Sequence, residues 1–396
     1  VRILQLCHRV PFPLLDGGNI AMYQLGKSLA GEGHVLKILA LNTRKHFVNI
    51  ESLPPYLKEA CSLEAVTIDT SVKPLAALKN LFQKSSYNIT RFYSPAFAQK
   101  LSEVLSSQPF DIIQLESLFM TPYLDVIRKH SNARVVMRAH NVEHVIWQRL
   151  ADSEKGWKKR YFSLLVKRLK AYETGTLKKL DAILAITPDD KTLFVKMGYE
   201  GPVAVVPVSI DVYPDSNRDS FERLSLFHLG SMDWLPNIEG VNWFLSECWP
   251  LIHNTHPDLI LYLAGRGFPD DIRQKKIPNV ICEGEIVDAG AYMSDKPIMI
   301  VPLLSGSGIR VKIIQGMAAG KVIISTAIGA EGIECTHQKN ILIADKPEEI
   351  ARAIDYCMAN KEKLKSISFE AKKLVSEKYT GKAVGEILDR FYRQLA

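Results

Sequence analysis

From end to end, this chain alternates short runs of Val, Ile and Leu with stretches long enough for a helix. The runs are Arg2–Cys7, Leu36–Leu41, Leu63–Ile68, Asp111–Leu115, Arg134–Arg138, Ala182–Ala185 and Val203–Val208. A second series is Leu224–Gly230, Leu259–Ala264, Val280–Glu283, Ile298–Leu304, Val322–Ser325 and Ile341–Ile343. They scarcely alternate between apolar and polar residues, as strands of a parallel sheet covered on both faces do. Helical patterns fit between most of them. The spacing predicts an α/β chain of doubly wound parallel sheets. Ligands of such sheets bind at the carboxyl ends of the strands, so the residues after each run carry the functional information.

A chain of 396 residues has room for two cores. The boundary is placed near Pro207, because residues 214–218 are polar and turn-rich and a fresh strand begins at Leu224. The expected domains are residues 1–207 and 208–380, facing each other across a cleft. A final helix, residues 381–396, is expected outside the second core, crossing back to the first domain. A net charge of +7 suits an anionic substrate or membrane surface. No long Lys/Arg run or nucleic-acid module is present, so nucleic acid is not an expected partner. The six cysteines are scattered without metal spacing, which points to reduced thiols in a cytoplasmic protein. The chain opens on a strand rather than a leader, and no apolar run is long enough to span a bilayer.

The stretch from Leu303 to Gly332 is the most informative segment. A strand runs into Ser305-Gly306-Ser307-Gly308, which opens onto a helix predicted from Ile309 to Ala319. Backbone N–H groups at a helix start lack intrahelical partners and the dipole favours negative charge, so the turn is a candidate phosphate site. Arg310 and Lys312 add cations beside it. The plainer alternative is an ordinary turn with solvated cations. Near the N-terminus, Gly17-Gly18 lies between strand and helix and again offers a helix start to a phosphate. His140, in Arg138-Ala139-His140-Asn141-Val142-Glu143, follows the fifth strand. Gly230, Gly265-Arg266-Gly267 and Glu283-Gly284-Glu285-Ile286-Val287 stand at successive strand ends of the second half, as the rim of an extended ligand site would. Neither GxGxxG nor HExxH occurs, so neither a dinucleotide cofactor nor a metal is called for.

Val142–Leu180 reads as one long helical pattern carrying Trp157, Lys158, Lys159, Arg160, Tyr161, Phe162, Lys167, Arg168 and Lys170. It is either a solvated face with core-facing aromatics or a surface that meets anionic lipid headgroups.

Taken together and in order, these motifs resemble the family-4 retaining glycosyltransferases of GT-B fold, glycosyl transferases group 1. The carriers are the Pro–Gly-Gly turn, His140 in HNVE, the Thr187–Asp190 turn, VVPVSID (Val205–Asp211), GSMDWLPN (Gly230–Asn237), and GSGIRVKIIQGMAAG. The resemblance implies two Rossmann-like domains and transfer of a sugar from a nucleotide-sugar to a glycan or lipid-linked acceptor, with no cofactor. It assigns His140 to the transferring sugar, and Gly17 and Gly18 to the donor diphosphate or acceptor. Gly308, Ile309, Arg310 and Lys312 would bind the diphosphate, with Glu283 to Val287 beside the base. Two family glutamates are replaced by Ser307 and Gln315, which keeps open a catalytically impaired protein that binds nucleotide-sugar or glycan. An arginine and lysine usual after the glycine matching Gly230 are missing, and Arg310 and Lys312 are expected to replace them.

Overall fold

The computed structural model describes residues 1–14, 16–55, 57, 61–71, 86–211, 221–306 and 308–396. The turn-rich stretch 214–218 and Ser307 lie outside them. The chain divides into two compact units: Val1–Ser209 with Gly381–Ala396, and Ile210–Thr380.

The first unit holds seven parallel strands in the order β3-β2-β1-β4-β5-β6-β7. They are β1 (Arg2–Cys7), β2 (Val35–Thr43), β3 (Glu64–Ile68), β4 (Ile112–Glu116), β5 (Arg134–Ala139), β6 (Ala182–Ala185) and β7 (Val203–Val205). One apolar core contains Leu6, Leu115, Val135 and Met137. Another contains Cys7, Ile112, Val136 and Leu184. The sheet is thus buried on both faces, which is why its strands do not alternate.

The second unit holds six parallel strands in the order β10-β9-β8-β11-β12-β13. They are β8 (Leu226–Leu229), β9 (Leu261–Ala264), β10 (Val280–Gly284), β11 (Ile298–Val301), β12 (Val322–Ser325) and β13 (Leu342–Ile343). In both sheets the order reverses beside the first strand of the unit. Such switch points place loop ends together at the carboxyl edge.

Six helices bear on function: α1 (Gly17–Gly31), α2 (Glu143–Ser153), α3 (Gly156–Leu177), α4 (Leu235–Trp243), α5 (Val311–Ala318) and α6 (Gly381–Leu395). Two expectations need correction. Val142–Leu180 is two helices, broken before Gly156, whose φ of 60° suits glycine. The helix expected from Ile309 begins at Val311, with Arg310 at its N-cap in a non-helical backbone. The last helix packs into the first unit: its Val384, Leu388 and Tyr392 join the core of Cys7 and Val136. Among the described residues, no helix is long and apolar enough to cross a membrane.

Candidate functional site

At the start of α1 the structure adds a partner that the phosphate reading did not include. Asp16 caps the helix, accepting from the amides of Gly18 at 2.9 Å and Asn19 at 3.0 Å. Arg9 grips both Asp16 oxygens, at 2.8 and 2.6 Å. The positive end of the helix dipole is already met by a side chain of the protein, which is the usual function of an N-cap aspartate. A Cβ on Gly18 would press on the Arg9 guanidinium, so a larger residue there would have to displace Arg9 from Asp16.

The carboxyl edge of the first sheet carries a polar cluster. Register aligns Gln5 with Gln114, Cys7 with Glu116, and Glu116 with Arg138. Side chains two residues apart share a face of a strand, so Gln5, Gln114, Glu116 and Arg138 converge on one side of the sheet. All four are fully buried. Glu116 Oε1 accepts from Gln5 Nε2 at 2.7 Å and from Gln114 Nε2, and Oε2 lies 3.7 Å from Arg138 Nη1. Burial alone would raise the Glu116 pKa. The Arg138 guanidinium and His140 outweigh it and hold the carboxyl below its ordinary value. Tyr392 of α6 donates to Gln114 Oε1, so the last helix closes the cluster from below.

His140 lies at the rim of this cluster, with Nε2 2.7 Å from Glu116 Oε2. Burial lowers its pKa despite the carboxylate. Its ring meets that of His8 edge-on, with centroids 5.9 Å apart. His8 Nδ1 is 3.0 Å from the Glu116 main-chain oxygen. Burial, His140 and Arg9 push the His8 pKa down to about 3. Both imidazoles are therefore neutral near pH 7. Next along the chain, Glu143 is buried, and burial with the nearby Glu173 raises its pKa to about 8. Glu173 accepts from the amides of Glu143 at 3.0 Å and His144 at 3.2 Å, satisfying the start of α2.

In the second unit three strand ends lie side by side. Gly230 N–H donates to Ala264 C=O at 3.0 Å, and Gly265 N–H to Gly284 C=O at 2.7 Å. Gly265 has φ 141°, and a Cβ on it would strike the Gly230 carbonyl. The expected rim glycines do meet. Beside them, Lys312 Nζ reaches across to α4 and donates to Asn237 Oδ1 at 2.7 Å. A Cβ at Gly230 would stand 2.7 Å from Lys312 Nζ, 2.9 Å from Asn237 Nδ2 and 3.1 Å from His228 Nε2. Burial and Arg310 lower the Lys312 pKa to about 7.

Arg310 is buried, and its guanidinium carbon lies 5.5 Å from the Trp234 ring centroid. It donates to the Gly308 carbonyl and, at 3.5 Å, to that of Ile328. The picture of Arg310 and Lys312 as solvated cations does not hold. Gln315 is half-buried on α5 one turn beyond Lys312, and Gly308 and Ile309 are half-buried ahead of it. Glu283 and Gly284 close β10, Glu285 and Ile286 follow, and Val287 is fully exposed. Ser307 lies outside the described residues.

Sequence reasoning missed Glu116, His8, Gln5, Gln114 and Asn237. Their signal was present for all but Asn237: polar residues at alternate positions of otherwise apolar strands, or directly after one. Asn237 became meaningful only when α5 delivered Lys312 to it.

Comparison with known proteins agrees with this architecture. A model of Glycosyltransferase Family 4 matches residues 15–214, and one of Glycosyl transferases group 1 matches residues 223–360. An uncharacterized 44.6 kDa protein in the cps region of Klebsiella pneumoniae is 23% identical over 408 residues, covering 97% of each chain. Among solved structures, a sucrose-phosphate synthase from Thermosynechococcus elongatus superposes with a TM-score of 0.73 at 17% identity, covering 100% of this chain and 99% of that one. HepE from Anabaena, in complex with UDP and glucose, gives 0.66 at 11% identity, covering 98% and 99%.

Proposed function

We propose the reaction from one premise: this chain belongs to the family 4, group 1 glycosyltransferases, with two Rossmann-like domains of GT-B fold. In our reading it transfers a hexose from a nucleotide-sugar to a glycan or lipid-linked acceptor, with retention of anomeric configuration. The second unit takes the donor. The observation that carries this is Lys312 beside Gly230, with Arg310 one step before α5. Negative charge grows on the departing diphosphate as the glycosidic bond breaks. Cations fixed in a partly desolvated setting stabilise that charge more than they stabilise the ground state. Lys312 and Arg310 supply from the start of α5 and its N-cap what the family usually places after the glycine that follows β8. Gln315 would hydrogen-bond ribose hydroxyls, and residues 283–287 would flank the base.

The first unit is assigned the sugar acceptor and, through His140, the transferring sugar. The relative from a cps region of Klebsiella pneumoniae accords with a cell-surface glycan as product. Work at the cytoplasmic face of a membrane is part of the same reading. UDP is the first nucleotide to test, because HepE binds it.

A thermal-shift screen of UDP-, GDP- and ADP-glucose with the free diphosphates tests the donor site. Stabilisation by one base series identifies the leaving group. A folded sample that responds to none overturns the reading. A second reading, nucleotide-sugar binding without turnover, is favoured by the neutral Gln315 in place of a family glutamate. Sugar release or transfer from any bound donor removes it.

A further inference from the structure

Glu116 engages two histidines by two different parts of itself. Its side-chain Oε2 lies 2.7 Å from Nε2 of His140, and its main-chain carbonyl lies 3.0 Å from Nδ1 of His8. A carboxylate and a carbonyl both accept, so each ring donates there. His140 therefore carries its proton on Nε2 and His8 on Nδ1. The turn that aims the carbonyl at His8 is strained. Ser117 has φ 83°, a region that favours glycine, and its Oγ lies 3.3 Å from His8 Nδ1. The Glu116 charge is met by Arg138 at 3.7 Å, so neither ring has to ionise to satisfy it. The nitrogens left over are Nδ1 of His140 and Nε2 of His8. Each is a lone pair with no partner among the described residues, and both rings retain some exposed surface.

We propose that His8 and His140 form a paired acceptor site for sugar hydroxyls, and that Glu116 is the positioning residue that fixes them in opposite tautomers. This rests on the sugar-transfer reading above. It adds His8, which that reading does not use, and assigns each ring an atom. The hydroxyls belong either to the sugar of the donor or to a sugar of the acceptor. The chemistry is the same: two edge-on neutral acceptors 5.9 Å apart between ring centres.

Opposite tautomers predict opposite rescue. The amide oxygen of Asn falls near a histidine Nδ1, and that of Gln near Nε2. His140→Asn should keep sugar binding where His140→Gln and His140→Ala lose it. His8→Gln should keep it where His8→Asn and His8→Ala lose it. Losses of about five- to tenfold are expected for one uncharged hydrogen bond. The probes are UDP-, GDP- and ADP-glucose, the free diphosphates, and methyl α-glucoside. Loss confined to a nucleotide-sugar places the hydroxyls on the donor, and loss confined to the glucoside places them on the acceptor. Affinity for the free diphosphate should not change.

Long-range proton–nitrogen spectra of the full chain, labelled with ¹⁵N-histidine, read the tautomers directly. Glu116→Gln should scramble that of His140. That variant leaves Arg138 without its counter-ion; if it fails to fold, the histidine variants decide alone. Either ring in the other tautomer, or sugar affinities untouched by both alanine variants while the diphosphate still binds, overturns the proposal. A wild-type chain that binds no nucleotide defeats the donor reading instead, and the spectra with methyl α-glucoside still decide this one.

Discussion

Lys312 Nζ donates to Asn237 Oδ1 at 2.7 Å, linking the second residue of α5 to the third of α4 across 75 positions of sequence. The partner is neutral, and the ammonium is packed against Gly230 with Arg310 nearby. A cation in that position is undercompensated, and a diphosphate supplies what it lacks.

Lys312→Ala and Arg310→Ala should each weaken nucleoside-diphosphate binding about 10- to 100-fold, the range for one hydrogen bond to a charged group. Isothermal titration measures it. Thermal unfolding should confirm that Lys312→Ala still folds, and unchanged affinity in both variants would remove the phosphate site.

The depressed Lys312 pKa gives the binding a direction in pH. In the free protein the ammonium loses its proton above about 7. A bound diphosphate favours the charged form, so binding takes up a proton over that range. Affinity for the nucleotide-sugar should be flat below pH 7 and fall as pH rises from 7, by up to about tenfold per unit. His228, Asn237 and Arg310 face the amine, and only Lys312 itself titrates near 7. Lys312→Arg should abolish the slope. Titration heats that are the same in buffers of different ionisation enthalpy at pH 8 would contradict it.

Glu143 should make the first unit less stable at alkaline pH. Its carboxyl is raised from 4.5 to about 8 by burial and Glu173. Between those values the unfolded chain releases a proton that the folded chain retains, so stability falls as pH rises across the window. Its steepest slope is about 1.4 kcal/mol per pH unit. Glu143→Gln should flatten the curve, as read by denaturant unfolding at pH 5, 6.5 and 8. Parallel curves for the two proteins would rule this out.

Removing α6 should destabilise the first unit and spare the second. Val384, Leu388 and Tyr392 are wholly buried, and each such side chain contributes about 1.5–3 kcal/mol. Tyr392→Phe is the mild version: it leaves Gln114 Oε1 without the phenol and should cost about 1–3 kcal/mol. Limited proteolysis of the chain ending at Thr380 should cleave first within residues 1–209. Equal resistance of that region with and without α6 would refute the assignment.

A membrane contact through α3 predicts salt-dependent retention on anionic liposomes. Trp157 is 74% exposed, and Lys158, Lys159 and Arg160 follow it in the open. Phe162 instead packs toward Trp147, with centroids 6.1 Å apart. Sedimentation with vesicles of anionic lipid should pellet the protein at low salt and release it at high salt, and Trp157→Ala should weaken retention. No pelleting at any salt would leave α3 as a solvated face.

Sequence by itself determined what depends on local pattern. Unbroken runs such as Ile298–Val301 and Val322–Ser325 declare strands buried on both faces, because a parallel sheet between helix layers tolerates nothing else. The order of glycine turns determined which strand ends matter. Tertiary structure alone decided which side chains meet. Glu116 lies 24 positions from His140 and over a hundred from His8 and Gln5, and only the β1-β4-β5 register brings them together. The Gly17-Gly18 turn shows the converse. Its pattern offers a free helix start, yet Asp16, held by Arg9, already fills it. Spacing along a chain determines direction and face. Occupancy and pairing depend on distances through space, which are set when the sheet closes and the helices pack.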